Sequence, residues 1–180
     1  VLRQDGTLWL NLGDSYIGNM SRASNNGRAG FGNEREGVFK RSANGLKNKD
    51  LAGIPWRVAF SLQAEGWYLR QDIIWSKSNP MPESVSDRCT KSHEHIFLLS
   101  KSPHYYFDAH AIREKTSNKR DVWTVAAGNY KGAHFATFPQ DLIIPCIQAG
   151  TSEQGCCSIC GLSQVRALEM TEEYKSLKGK

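Results

Sequence analysis

Residues 7 to 13 alternate, with Leu8, Leu10 and Leu12 on one side and Thr7, Trp9 and Asn11 on the other. That period of two, bounded by Asp5-Gly6 and Gly13-Asp14, predicts a strand. Its carboxyl end carries the polar turn Gly13-Asp14-Ser15-Tyr16, and ligands of open α/β sheets bind at that end of the strands. A helix cap made by Asp14 or Ser15 is the plainer use of the same residues. Residues 17 to 49 are rich in Gly, Asn, Ser, Arg and Lys and hold few large apolar side chains, so they predict a long loop. Pro55 opens a helical pattern in which Trp56, Ala59 and Phe60 share one side, broadened by Val58 and Leu62 and stopped at Glu65-Gly66.

Trp67 to Trp75 and Glu94 to Ser100 read as two further strands able to pair antiparallel, with Tyr105 to Asp108 continuing the second past Pro103. Residues 109 to 133 read as a polar connection around the short apolar run Val122 to Ala127. A helix is predicted from Gln140 to Ala149 on the stripe Leu142, Ile143, Cys146 and Ile147, and Pro145 is expected to bend it. Residues 7 to 13, 68 to 76 and 94 to 100 should therefore be neighbouring strands of one sheet, with helix 55 to 65 on its face.

Composition narrows the class. At 39% hydrophobic and 10% aromatic, 180 residues suffice for one core-bearing globular domain. A net charge of +5 and a pI near 9.0 suit either a polyanionic partner or simple solubility. The basic side chains of the long loop, Arg22, Arg28, Arg35, Lys40, Arg41, Lys47 and Lys49, could follow a phosphate backbone or stand as a solvated insertion. No run reaches the roughly 18 apolar residues of a membrane span, and no signal-peptide pattern occurs. A cytoplasmic protein is expected. Five cysteines, three of them in Cys156-Cys157-Ser158-Ile159-Cys160-Gly161, do not make a secreted disulfide framework. Cys157 and Cys160, with Cys156 as a third thiol, have the spacing of a zinc knuckle, although zinc wants four ligands and the set is half present.

The stretch richest in chemistry follows the second strand. Trp75-Ser76-Lys77-Ser78-Asn79-Pro80-Met81-Pro82 ends a buried strand in a cation, an amide and two prolines, with Arg88 and Ser92-His93-Glu94-His95-Ile96-Phe97 beyond. Polar groups are thus aimed from a rigid element into a loop with little backbone freedom. This run resembles the post-strand segment of DNA amino-methyltransferases. Val1 to Tyr16 resembles the element after that family's catalytic motif, Trp67 to Pro82 and Ser92 to Asp108 its next two strands, and His134-Phe135-Ala136-Thr137-Phe138-Pro139 through Gly150 its cofactor-side motif. The order is that of the beta group, in which the catalytic block precedes the cofactor block.

The resemblance implies part of a Rossmann-like α/β methyltransferase sheet with helices on its faces and a long basic loop. It divides the chain into a partial methyltransferase domain at 1 to 150, with the loop at 17 to 49, a partial cysteine knuckle at 151 to 170 and a polar tail at 171 to 180. It implies S-adenosylmethionine as cofactor, double-stranded DNA as partner, and methylation of the exocyclic amine of cytosine (N4) or adenine (N6). Asp14, Ser15, Tyr16, His93 and Glu94 would form the pocket shell, with a capped strand entry as the plain use of His93 and Glu94. Phe135, Ala136, Thr137 and Phe138 would line the cofactor side, or Phe135 and Phe138 would merely staple the helix. Lys77 and Arg88 would meet DNA phosphates, and Asn79 a base edge or its own loop's backbone. No Pro-Pro occurs in the chain, so the family's Pro-Pro-Tyr tetrapeptide is missing, as is its glycine-rich Asp-Pro-Phe loop. The expectation is a central fragment that is inactive alone. The alternative is a noncatalytic nucleic-acid-binding module in which the basic loop and the cysteine knuckle grip the ligand together.

Overall fold

The computed structural model describes residues 2–17, 45–128 and 137–168. Arg22, Arg28, Arg35, Lys40, Arg41, Phe135 and Ala136 lie outside the described residues, as does the tail at 171 to 180.

Four strands, β1 (Thr7–Leu12), β2 (Tyr68–Lys77), β3 (His93–Ser100) and β4 (Val122–Val125), form one sheet in the order β1-β3-β2-β4. β3 is antiparallel to both β1 and β2, and β2 is parallel to β4. Three strands therefore share one direction, with β3 running against them between two of them. The carboxyl ends of β1, β2 and β4 and the amino end of β3 consequently meet at one end of the sheet.

Alternation along the strands sorts side chains onto two faces. Phe97 and Leu99 pack with Ala59 of helix α1 (Ile54–Ala64), joined by Leu8, Leu10, Leu62, Trp67 and Leu69. On the other face Ile73, Trp75, Ile96 and Trp123 pack with Leu142 and Cys146 of helix α2 (Gln140–Gly150). The stripe Leu142, Cys146, Ala149 is the buried face of α2, spaced as a helix on a sheet requires. Burial pushes the Cys146 thiol up to about 12, which keeps it a small apolar filler. Phe97 is fully buried, and its truncation to Ala would cost about 3–5 kcal/mol.

Two readings of the sequence are corrected. Tyr105 to Asp108 does not continue a strand: Tyr106 N–H donates to the Asp5 carbonyl and Asp108 N–H to the Ala149 carbonyl, so the segment is tied between the start of β1 and the end of α2. The polar connection contains β4, four residues that become a strand by pairing with β2 from Ile74↔Val122 to Lys77↔Val125. The helix predicted over 140 to 149 is present as α2, which contains Pro145 and runs on to Gly150; Pro145 leaves the Asp141 carbonyl without its helical N–H partner.

Candidate functional site

The register of β2 and β3 sets Trp75 opposite Glu94. The side chains of Lys77 and Glu94 then meet at the end of the sheet, Nζ to Oε1 2.5 Å, each about a quarter exposed. Lys77 also lies 4.7 Å from the centroid of the Trp75 ring, so an aromatic face and a carboxylate hold its ammonium group from two sides. Gly13 follows β1 at the same end, and a Cβ there would stand 3.6 Å from the Glu94 carboxyl. His93 opens β3 beside them, its ring edge-on to His95 at 5.5 Å.

Asp14 works across a long stretch of chain. Its carboxylate accepts N–H bonds from Ser15 (2.8 Å), Gly53 (3.1 Å) and Ile54 (3.0 Å), which caps α1 from 39 residues away. Helix α1 needs that help because Gly53, its own N-cap residue, has φ 68° and no side chain. Sequence reasoning foresaw a cap from Asp14 or Ser15 but not which helix would receive it. The backbone of residues 15 to 17 pairs with 49 to 52 through Ile17 N–H to Asp50 O, Lys49 N–H to Ile17 O and Ala52 N–H to Ser15 O. This short ladder closes the base of the long insertion next to Asp14.

The loop between β2 and β3 is fastened to the same neighbourhood. Lys91 Nζ donates to the Asp14 carbonyl (2.5 Å) and Lys49 pairs with Asp87 (2.8 Å). Arg88 lies 3.9 Å from the centroid of the Tyr16 ring and donates through Nη1 to Glu83 (2.7 Å) and to the Cys89 carbonyl (3.0 Å). The Arg88 bond lowers the Glu83 carboxyl below its ordinary range, and the Lys49 bond does the same for Asp87. Asn79 turns its amide onto one residue: Oδ1 accepts the Ala127 N–H (2.6 Å) and Nδ2 donates to the Ala127 carbonyl (3.3 Å). Both bonds go to the backbone of a distant segment rather than to Asn79's own loop. They join the exit of β2 to the exit of β4.

Beyond β4, a Cβ on Gly128 would stand 3.7 Å from Pro139 Cα, so Phe138, just before α2, belongs to this end of the sheet as well. Phe138 is 58% exposed, and Thr137 beside it is half-buried. Asp14, Ser15, Tyr16, Lys77, Asn79, Arg88, His93, Glu94, Thr137 and Phe138 are thus gathered at one end. Lys91, Glu83 and the Ala127 backbone were missed by sequence reasoning, because their parts depend on contacts between distant segments.

The cysteines lie elsewhere. Helix α2 ends where a Cβ on Gly150 would meet Thr7 Oγ1 at 2.8 Å, at the start of β1, and the cysteine segment follows there. Arg3 Nη1 donates to Cys156 Sγ (2.9 Å), Arg3 pairs with Asp5, and Arg166 pairs with Asp108. Cys157 Sγ is approached by the backbone amides of Cys160 and Ile159, which hold its thiol below the ordinary value. The zinc expectation for Cys156, Cys157 and Cys160 is corrected: among the described residues no three or more His, Cys, Asp or Glu side chains gather as a metal set, and the Cys156 sulfur is directed to Arg3. The knuckle and the base of the basic loop also stand at opposite ends of the sheet, about 25 Å apart along β3. No helix among the described residues is long and apolar enough to cross a membrane.

Comparison with known proteins agrees with this arrangement. The chain is 52% identical over 161 residues to the type II methyltransferase M.Cfr9I of Citrobacter freundii, covering 84% of this chain and 52% of that protein. It is 48% identical over 167 residues to the type II methyltransferase M.SmaI of Serratia marcescens, covering 86% and 55%. The chain thus spans about half the length of these curated relatives. The solved PvuII DNA methyltransferase, described as cytosine-N4-specific, superposes with a TM-score of 0.60 at 16% identity, covering 84% of this chain and 50% of that one; it shows a shared α/β fold. The family profile described as DNA methylase matches residues 1–157, and the chain belongs to that N6/N4 methyltransferase family.

Proposed function

We propose that the protein containing this chain transfers a methyl group from S-adenosylmethionine to the exocyclic amine of cytosine (N4) or adenine (N6) in double-stranded DNA, as the modification enzyme of a restriction-modification system. One observation carries the reading: in a member of the DNA methylase family, the polar residues singled out for the pocket and for DNA share one end of the sheet, the end at which α/β enzymes bind their ligands.

An exocyclic amine is a poor nucleophile because its lone pair is delocalised into the ring. It must be flipped out, held by acceptors and aimed. In this chain Lys77, fixed by Glu94 and Trp75, offers a cation to a DNA phosphate beside the pocket. Asp14, Ser15, Tyr16, His93 and Glu94 form the pocket's wall, and Asn79 holds the β4 exit in register with it. The exposed ring of Phe138 fits a cofactor with a flat adenine and a cationic sulfonium; Thr137 beside it, and Phe135 and Ala136 by the family resemblance, are assigned the same role. S-Adenosylmethionine, when bound, supplies the methyl group. The chain holds no Pro-Pro-Tyr tetrapeptide, so the amine's acceptors come from elsewhere in the protein and the isolated chain is inactive.

A tritiated-methyl assay tests this: the complete enzyme should label duplex DNA and the 180-residue chain should not. In the complete enzyme, calorimetric titration should show that Phe138→Ala weakens cofactor binding by about 1 kcal/mol or more. Lys77→Ala should weaken DNA binding and flatten its salt slope by about one unit. The opposite pairing of effects would reverse the two assignments, and transfer by the chain alone would refute its inactivity.

A further inference from the structure

We propose that Arg88 reads a guanine in the major groove of the target duplex, with Tyr16 and Glu83 as its positioning residues. The inference rests on the DNA methyltransferase reading above and adds the base that one side chain recognises.

The guanidinium group of Arg88 is only partly occupied by the protein. Its face lies against Tyr16 at 3.9 Å, and Nη1 gives its hydrogens to Glu83 and to the Cys89 carbonyl. Among the described residues Nε and Nη2 have no partner. These two nitrogens carry the parallel, side-on pair of N–H groups that matches the O6 and N7 acceptors of guanine. Among the described arginines, Arg3, Arg57, Arg70 and Arg166 commit Nε to a partner within the protein, and Arg113 and Arg120, which do not, lack an aromatic face and a carboxylate holding the group from behind as Tyr16 and Glu83 hold Arg88. Arg88 is held by its far side while its fork is left open, and its side chain is about one quarter exposed.

Position and charge agree. The loop that carries Arg88 is tied down on both sides of it, by Lys49 to Asp87 and by Lys91 to the Asp14 carbonyl, at the end of the sheet where Lys77 stands. Glu83 offsets much of the positive charge of Arg88. Glu83 and Tyr16 together fix the guanidinium in one plane, from which a hydrogen-bonding reader gains.

The test is selection of bound duplexes from a random library by the complete enzyme and its Arg88→Ala and Arg88→Lys variants, sequenced after selection, with affinities measured across a salt series. The wild type should select a site containing guanine. Arg88→Ala should lose about 10- to 100-fold of its preference for guanine at one position, with binding to unrelated sequences unchanged. Arg88→Lys, which keeps the charge and lacks the fork, should lose the same preference; if Arg88→Ala does not fold, this variant decides. Wild-type preference retained in Arg88→Lys, or a uniform loss across all sequences with a salt slope smaller by about one, would overturn the proposal in favour of a phosphate contact. An enzyme that selects a site through Arg88 yet transfers no methyl group would leave this inference standing and sink the catalytic reading instead.

Discussion

Replacing Asp14 with alanine removes, in one step, the acceptor for three backbone N–H groups in two segments 39 residues apart. Loss of an N-cap side chain costs about 0.5–2 kcal/mol, and loss of a carboxylate at a helix amino end adds about 0.3–1 kcal/mol. Gly53 cannot substitute, having no side chain, and Pro55 in the first turn has no N–H to satisfy. The sum is about 0.8–3 kcal/mol, or roughly 2–12 °C in melting temperature for a domain of this size. Asp14→Asn keeps one acceptor oxygen without the charge and should fall between. Urea denaturation gives the free energy, and amide hydrogen exchange at Gly53 and Ile54 shows whether the loss is local. Because Lys91 bonds to the main-chain carbonyl of residue 14, the β2–β3 loop should keep its own protection in Asp14→Ala. A cost under about 0.5 kcal/mol with unchanged exchange at Gly53 and Ile54 would refute the remote cap.

Gly150→Ala should destabilise the fold by about 1–3 kcal/mol, because the added methyl would lie 2.8 Å from Thr7 Oγ1 and 3.0 Å from Trp9 Nε1; a melt indistinguishable from wild type would show that the α2–β1 junction is loose. The Arg3 bond lowers the folded-state value of the Asp5 carboxyl below its ordinary 3.8. A depressed carboxyl contributes stability that is present above its unfolded value and lost as pH falls through its folded one. The tie between Arg3 and Asp5 should therefore loosen only below about pH 3.8, and alkylation of Cys156, which Arg3 contacts, should be faster in Asp5→Asn than in wild type at neutral pH.

Where a signal was local, sequence reasoning succeeded. The alternation of Leu8, Leu10 and Leu12 and the run Ile73 to Trp75 marked β1 and β2, and glycine and proline marked the limits of α1. β4 escaped because four residues give too short a pattern, and its strand state comes from pairing with β2. Lys77 and Glu94 were each singled out, but their meeting depends on the β2–β3 register. The capping of α1 by Asp14 and the docking of Cys156 on Arg3 join segments that no window of sequence holds together.

The direction of β3 has one more consequence. Because β3 runs against its neighbours, the chain leaves β2 and re-enters β3 at the same end of the sheet, so residues 78–92 make an excursion that never crosses the core. At that same end the described segments 15–17 and 49–52 pair in a short ladder. Lengthening such a closed excursion costs only about 0.6 kcal/mol per doubling. In the β2–β3 excursion the positions between the tied residues Asn79, Glu83, Asp87, Arg88 and Lys91 can therefore change or lengthen while the strand register is inherited unchanged.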